Sequence, residues 1–242
     1  MIKISAVNYL NTKPFVHGIQ HSGFLKDFDL QLDIPSICAT KLINYEVDIG
    51  LIPIAILPKL DYHEILTDYC IGAKGAVGSV LLLSEEPLDK IENIILDFHS
   101  ITSISLVKIL CHKYWNINPL WKNSSEDFQH LIRGATAGVL IGDRAMKIKS
   151  QYAFVYDLAF EWEQFTKMPF VFACWVSNRE LPALFVKNFE KAISWGVEHK
   201  LDAIANAENY TEAKYYVEKN ISYNLDTDKK RAMDLFLSYL DP

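Results

Sequence analysis

The first 53 residues alternate short strand-like runs with helical ones, and this alternation limits the fold more than any single motif does. Residues 2–7 alternate in polarity and then stop at polar groups, as a strand does before a turn. A helix is expected over 14–20, opened by Pro14. Phe-Asp-Leu-Gln-Leu-Asp-Ile at 28–34 keeps a period of two and ends at Pro35, which reads as a half-buried strand. Ser36 is then placed to cap a helix over 39–45. The run at 47–53 is short and almost wholly apolar, as required where helices cover both faces of a parallel sheet. Strand–helix–strand–helix–strand at this spacing predicts a doubly wound α/β body.

The pattern continues and then restarts. Strands are expected near 69–71 and 77–83, separated by the glycine-rich link Gly72-Ala73-Lys74-Gly75-Ala76. Ser84-Glu85-Glu86-Pro87 marks a composition shift, read as the crossing into a second lobe. That lobe is expected to hold strands at 94–96, 137–141 and 154–156, helices at 102–115 and 125–133, and an extended piece at 119–122. The bulky run 170–176 reads as the return crossing. Three helices follow at 182–199, 211–219 and 228–240, the first with Leu184, Phe185, Phe189, Ile193 and Val197 at helical spacing. The expected architecture is therefore an α/β clamshell, with 1–84 plus 176–242 as one lobe and 85–175 as the other. Ligands of such a body sit in the cleft between its lobes.

Composition narrows the function classes. At 242 residues and 50% hydrophobic content, the chain can build one large core or two lobes. A net charge of −6 without a long basic run argues against nucleic acid as a partner. No apolar run approaches the roughly 20 residues that a membrane helix needs. Met1-Ile2-Lys3-Ile4 enters a strand directly without a signal-peptide pattern, so a cytoplasmic location is expected. Cys38, Cys70, Cys111 and Cys174 are scattered, with no CxxC pair, and are expected to be buried reduced thiols. Of the histidines only His99 falls in a polar turn, and no metal site is expected.

Four polar turns fall at strand ends that would face the cleft. The first is Asn8-Tyr9-Leu10-Asn11-Thr12-Lys13-Pro14, where a helix start offers free N–H groups and a positive dipole end to a small anion. The second, Gly75-Ala76-Val77-Gly78-Ser79-Val80, sets two glycines about a serine; it reads equally as a flexible link between lobes. It matches neither the phosphate-binding G-x-x-x-x-G-K-[ST] pattern nor the dinucleotide fingerprint. The third, Asp97-Phe98-His99-Ser100-Ile101-Thr102-Ser103, dresses a helix start with hydroxyls that could cradle a carboxylate or simply cap. The fourth is Gly142-Asp143-Arg144, where Asp143 either orients a ligand hydroxyl or caps the following helix. Glu161 and Glu163 read as a solvated helix face, Lys74 as a surface lysine, and no serine sits in a Gly-x-Ser-x-Gly elbow. Such a cleft has many amides and hydroxyls and few general bases, which suits binding of a carboxylated small molecule. Any catalysis would work by positioning and stabilisation of negative charge.

These motifs, taken together with Asp48-Ile49-Gly50-Leu51-Ile52-Pro53, Ile141-Gly142-Asp143-Arg144-Ala145, Trp162 and Thr166-Lys167-Met168-Pro169-Phe170-Val171-Phe172-Ala173-Cys174-Trp175, resemble the chorismate dehydratases of the futalosine route to menaquinone. The resemblance covers nearly the whole chain, and the Tyr-Leu-Asn-Thr-x-Pro turn is its most specific mark. It implies the type II periplasmic-binding-protein fold, in agreement with the clamshell. The sister 1,4-dihydroxy-6-naphthoate synthases carry a different first turn. Where many members have arginine this chain has Ile101, leaving Thr102, Ser103 and their N–H groups to hold a carboxylate.

The resemblance implies a carbon–oxygen lyase that removes water from chorismate, giving 3-[(1-carboxyvinyl)oxy]benzoate, without metal or redox cofactor. It singles out Asn11 as the catalytic polar group and Ser79 as substrate-binding, with Tyr9, Thr12, Gly78, Ser100, Thr102, Ser103 and Asp143 around the substrate. The residues themselves offer no well-placed histidine or glutamate as a base, which makes the substrate's own enolpyruvyl carboxylate the hypothesis for that role. The competing readings are a non-catalytic receptor for a small carboxylate, the effector lobe of a regulator, and the sister synthase.

Overall fold

The computed structural model describes residues 1–124 and 128–240. Eleven strands are present among them: β1 (Ile2–Val7), β2 (Phe28–Asp33), β3 (Ile49–Pro53), β4 (Glu64–Ala73), β5 (Val80–Ser84), β6 (Asn93–Leu96), β7 (Leu120–Asn123), β8 (Thr136–Ile141), β9 (Phe154–Asp157), β10 (Phe170–Ser177) and β11 (Ser222–Asn224). The helices are α1 (Lys13–His21), α2 (Pro35–Ile43), α3 (Ile101–Leu110), α4 (Gly142–Ile148), α5 (Leu158–Thr166), α6 (Ala183–Glu198), α7 (Lys200–Ala203), α8 (Tyr210–Tyr215) and α9 (Thr227–Ser238).

The strands form two mixed sheets. One has the order β11-β4-β10-β3-β1-β2 and the other β7-β6-β8-β5-β9. In the first, β1 runs parallel to β2 and β3, as the opening alternation predicts, and β10 closes antiparallel between β3 and β4. In the second, β6 runs parallel to β7 and β8, whereas β5 pairs antiparallel with β8 and β9.

Sheet membership shifts both crossings from their expected places. Val80–Ser84 belongs to the second sheet, so the chain crosses at 74–79 rather than after residue 84. Phe170–Ser177 is a full strand of the first sheet, so the return crossing is α5 and the turn after it. Every residue of β5 and of β10 is buried, and an apolar run carries no mark of which sheet it joins. Trp162 pins the return crossing: it is fully buried on α5 against Phe170 at 5.3 Å and Phe236 at 6.1 Å between ring centroids.

Local starts and stops differ from expectation where proline or long-range pairing decides. α2 begins at Pro35 rather than Ala39; Ile34 is its N-cap, and no side chain caps it. β4 runs ten residues, because β10 and β11 flank it on both sides. The helix expected over 102–115 is α3 followed by a π turn at Cys111–Trp115. Of the helix expected at 125–133 a 3₁₀ turn is found at Phe128–Leu131, and 125–127 lie outside the described residues. The C-terminal helices pack on the first sheet, which β11 joins. α1 and α6 approach closely enough that a Cβ on Gly18 would lie 2.0 Å from the Ala192 carbonyl oxygen; only glycine fits.

All four cysteines are free and buried, and burial pushes the Cys38, Cys70 and Cys111 thiols up to about 12. Among the described residues no helix is long and apolar enough to cross a membrane.

Candidate functional site

One cleft is lined from both sheets. Tyr9, Asn11 and Thr12 enter it from the end of β1, and Ser79 and Val80 from the start of β5. Ser100 and Ser103 come from the start of α3, and Ile141 and Gly142 from the β8–α4 turn. Val7, Pro35, Pro53, Ile71 and Phe172 supply apolar wall. About 500 Å³ of space lies among these residues, part of it open to solvent. None of the described residues lining it carries a carboxylate, imidazole or ammonium group. Its polar equipment is hydroxyls, one amide and backbone.

Asn11 lies in a 3₁₀ turn, Leu10–Thr12, between β1 and α1. Its Nδ2 donates to the Tyr216 hydroxyl at 3.3 Å, and its Oδ1 accepts from Thr12 Oγ1 at 3.1 Å. Its backbone carbonyl accepts from the Tyr223 hydroxyl at 3.0 Å. The Tyr216 hydroxyl in turn donates to Ser79 Oγ at 2.7 Å. One phenol thus ties the turn after β1 to the turn before β5, and so one sheet to the other. Burial pushes both tyrosine hydroxyls well above the ordinary phenol range, which keeps them neutral donors.

Tyr9 crosses the cleft: its hydroxyl is 2.8 Å from His99 Nδ1. Burial pushes that hydroxyl up as well, against the opposing pull of the Arg144 guanidinium. Its ring lies over Gly142, whose φ of +67° favours glycine and where a Cβ would crowd the ring at 3.1 Å. At α3, Ser100 Oγ accepts the Ser103 N–H at 3.3 Å and lies 2.9 Å from Ser103 Oγ, so the expected cap is present inside the cleft.

Three of the residues singled out from sequence do not line the cleft. Thr102 is fully buried and accepts the Ala55 N–H at 3.2 Å on the other side of α3. Gly78, at φ +75°, gives its N–H to Asp157 at 2.6 Å. Asp143 accepts the Leu10 N–H at 3.3 Å and borders a separate recess with Lys13 and Lys147; it does not cap α4. At Thr102 and Asp143 the cause is helical: successive residues point about 100° apart, so neighbours in a motif face different partners.

Other residues acquire partners that spacing did not disclose. Asp97, fully buried, accepts the N–H groups of His99 and Ile141 and an Arg144 Nη2 bond at 2.6 Å. Asp157 accepts four backbone N–H groups, two from the 74–79 crossing and two from the start of α5. Glu161 is not a solvated side chain: it is half-buried and accepts Trp115 Nε1 at 3.1 Å, and burial pushes its carboxyl up. Lys74 pairs with Asp226 at 3.0 Å on the surface. His17 and His21, one turn apart on α1, have ring centroids 4.8 Å apart, and no group of three or more metal-ligating side chains exists among the described residues. Tyr216 gave no sequence signal, since its partners are 137 and 205 residues away.

The chain is similar to known proteins in both sequence and shape. A chorismate dehydratase of Thermus thermophilus is 28% identical over 192 residues, covering 72% of this chain and 69% of the relative. The structure superposes on the crystal structure of an Archaeoglobus fulgidus protein with a TM-score of 0.79 at 12% identity, covering 98% of this chain and 96% of that one. A Candida albicans protein described as exhibiting the generic periplasmic binding protein fold matches with a TM-score of 0.63 at 14% identity, covering 100% and 91%. The alkanesulfonate-binding protein of Xanthomonas axonopodis pv. citri, bound to MOPS, matches with a TM-score of 0.61 at 14% identity, covering 98% and 92%. These structural likenesses establish a periplasmic-binding-protein-like fold. A family model described as menaquinone biosynthesis matches residues 2–242, and the chain belongs to that family.

Proposed function

We propose that the protein is a chorismate dehydratase, a hydro-lyase that converts chorismate into 3-[(1-carboxyvinyl)oxy]benzoate and water. The observation that carries this reading is the composition of the cleft. Hydroxyls, one amide and the starts of α1 and α3 meet there without a lining general base. The similarity to the Thermus thermophilus enzyme and the family membership support it.

The substrate's chemistry fits that equipment. Chorismate carries two carboxylates, and two helix starts, one after each of β1 and β6, offer free N–H groups to anions. The C–H bond beside the enolpyruvyl ether is activated through the ring double bond by the ring carboxylate. Its electrons form the new ring double bond as the neighbouring C–O bond breaks. The hydroxyl group leaves as hydroxide and receives the proton taken from the ring, forming water, and aromaticity is gained. In this reading the enolpyruvyl carboxylate takes the ring proton, while Asn11 and Ser79 donate hydrogen bonds to the departing oxygen and Ser100 and Ser103 hold a carboxylate. Donors held in place before the reaction are worth far more than donors that must reorganise.

Incubation of the purified chain with chorismate, with nothing added, is the test. Appearance of a benzoate-type ultraviolet spectrum supports the reading. Tight binding of chorismate with no spectral change turns the assignment to a receptor, and neither binding nor change overturns it.

A further inference from the structure

We infer that Tyr216 is a positioning residue for the proposed dehydration, fixing the directions in which Asn11 and Ser79 present their hydrogen-bond donors to the substrate. The inference deepens the proposed function and rests on it for its chemistry, but its geometric basis is independent. Tyr216 is 2% exposed and does not line the cleft, so it acts only through the residues it touches.

The argument is an inventory of protons. A phenol has one proton to give and lone pairs to accept with. Tyr216 gives its proton to Ser79 Oγ at 2.7 Å and takes one Nδ2 proton of Asn11 at 3.3 Å. Having accepted, Ser79 keeps its own O–H proton, which has no acceptor among the described residues. Asn11 keeps its second Nδ2 proton in the same condition, while its Oδ1 is occupied by Thr12. Both side chains line the cleft. Two donors, one from the turn after β1 and one from the turn before β5, are therefore left for whatever the cleft holds. The phenol sets which atoms of each side chain stay available. Removing its hydroxyl takes the anchor from both at once.

The surroundings make the variant informative. The Tyr223 hydroxyl holds the Asn11 carbonyl at 3.0 Å, so the turn itself stays tethered when Tyr216 changes. Tyr216→Phe keeps the buried ring and deletes only the oxygen.

In the full chain, Tyr216→Phe is expected to lower kcat at least about tenfold with KM for chorismate within about threefold. Combined with Ser79→Ala, the loss is expected to fall well short of the product of the single losses, because the two groups act as a unit. A kcat within twofold of the parent, or losses that multiply, overturns the inference. If Tyr216→Phe does not fold, 3-fluorotyrosine at position 216 keeps the ring and hydroxyl but strengthens the donor. It must then change kcat at least twofold at unchanged KM, and no change overturns the inference. If the parent chain itself does not convert chorismate, the functional reading fails, and the crystal structure of Tyr216→Phe decides the positioning role. Rotated Ser79 and Asn11 side chains support it; unmoved ones overturn it.

Discussion

The turn after β1 and the turn before α3 read almost alike in sequence, each a strand end followed by small polar residues and a helix start. In the structure they spend those polar atoms differently. Before α3 they are consumed locally or by the framework: Ser100 caps its own helix, Thr102 holds Ala55, and Asp97 holds Arg144. After β1 no side chain caps α1, and Asn11 is held by two buried tyrosines from the far end of the chain. Of the two α3 hydroxyls one proton is taken up between Ser100 and Ser103, which leaves one to hold a carboxylate. A polar atom anchored from a distance keeps a free proton and a fixed direction. This contrast ranks Asn11 above the α3 hydroxyls as the seat of chemistry.

The contrast breaks most readily at Asn11. Asn11→Ala is expected to lower turnover of chorismate at least about tenfold, more than about 1.4 kcal/mol of barrier, with little loss of stability. Steady-state kinetics beside a denaturant titration checks this, and full activity removes Asn11 from the mechanism. Thr102→Val gives the opposite outcome. It leaves the Ala55 N–H buried and unpaired, costs about 1–3 kcal/mol in the same titration, and keeps kcat within about threefold. Ser100→Ala sharpens the comparison because this hydroxyl caps a helix and lines the cleft. The lost cap costs about 1 kcal/mol, and a rise in KM without a matching fall in kcat would assign it to binding.

The smallest effect is an absence of change with pH. Burial raises the Tyr216 hydroxyl above its ordinary value of 10.0, so it stays protonated where a free phenol begins to ionise. The rate profile should therefore show no phenolate limb up to about pH 10. Stability carries the complementary sign: it is fully present below pH 10 and falls as pH rises past it, because the unfolded phenol releases its proton first. A rate that declines between pH 8 and 9 would separate the activity from a neutral Tyr216.

Much of the fold is legible in the residues because periodicity reports burial directly. The opening alternation gives β1, β2 and β3 and their parallel pairing, and the Ser100 cap marks the start of α3. The errors fall on β5 and β10, where every residue is buried and the pattern records burial without a partner. At the site, Tyr9, Asn11, Thr12, Ser79, Ser100 and Ser103 line the cleft. Gly78, Thr102 and Asp143 turn to Asp157, Ala55 and Leu10 instead.

The sequence alone determined the α/β class, most of the strand and helix positions and the polar turns that could meet a small acid, since local propensity and hydrophobic period are properties of neighbouring residues. The tertiary structure alone decided which sheet each buried strand joins and which hydroxyls remain available. It also decided that Tyr216 bridges Asn11 and Ser79. Those depend on hydrogen bonds between residues more than a hundred positions apart, and no spacing rule along the chain encodes them.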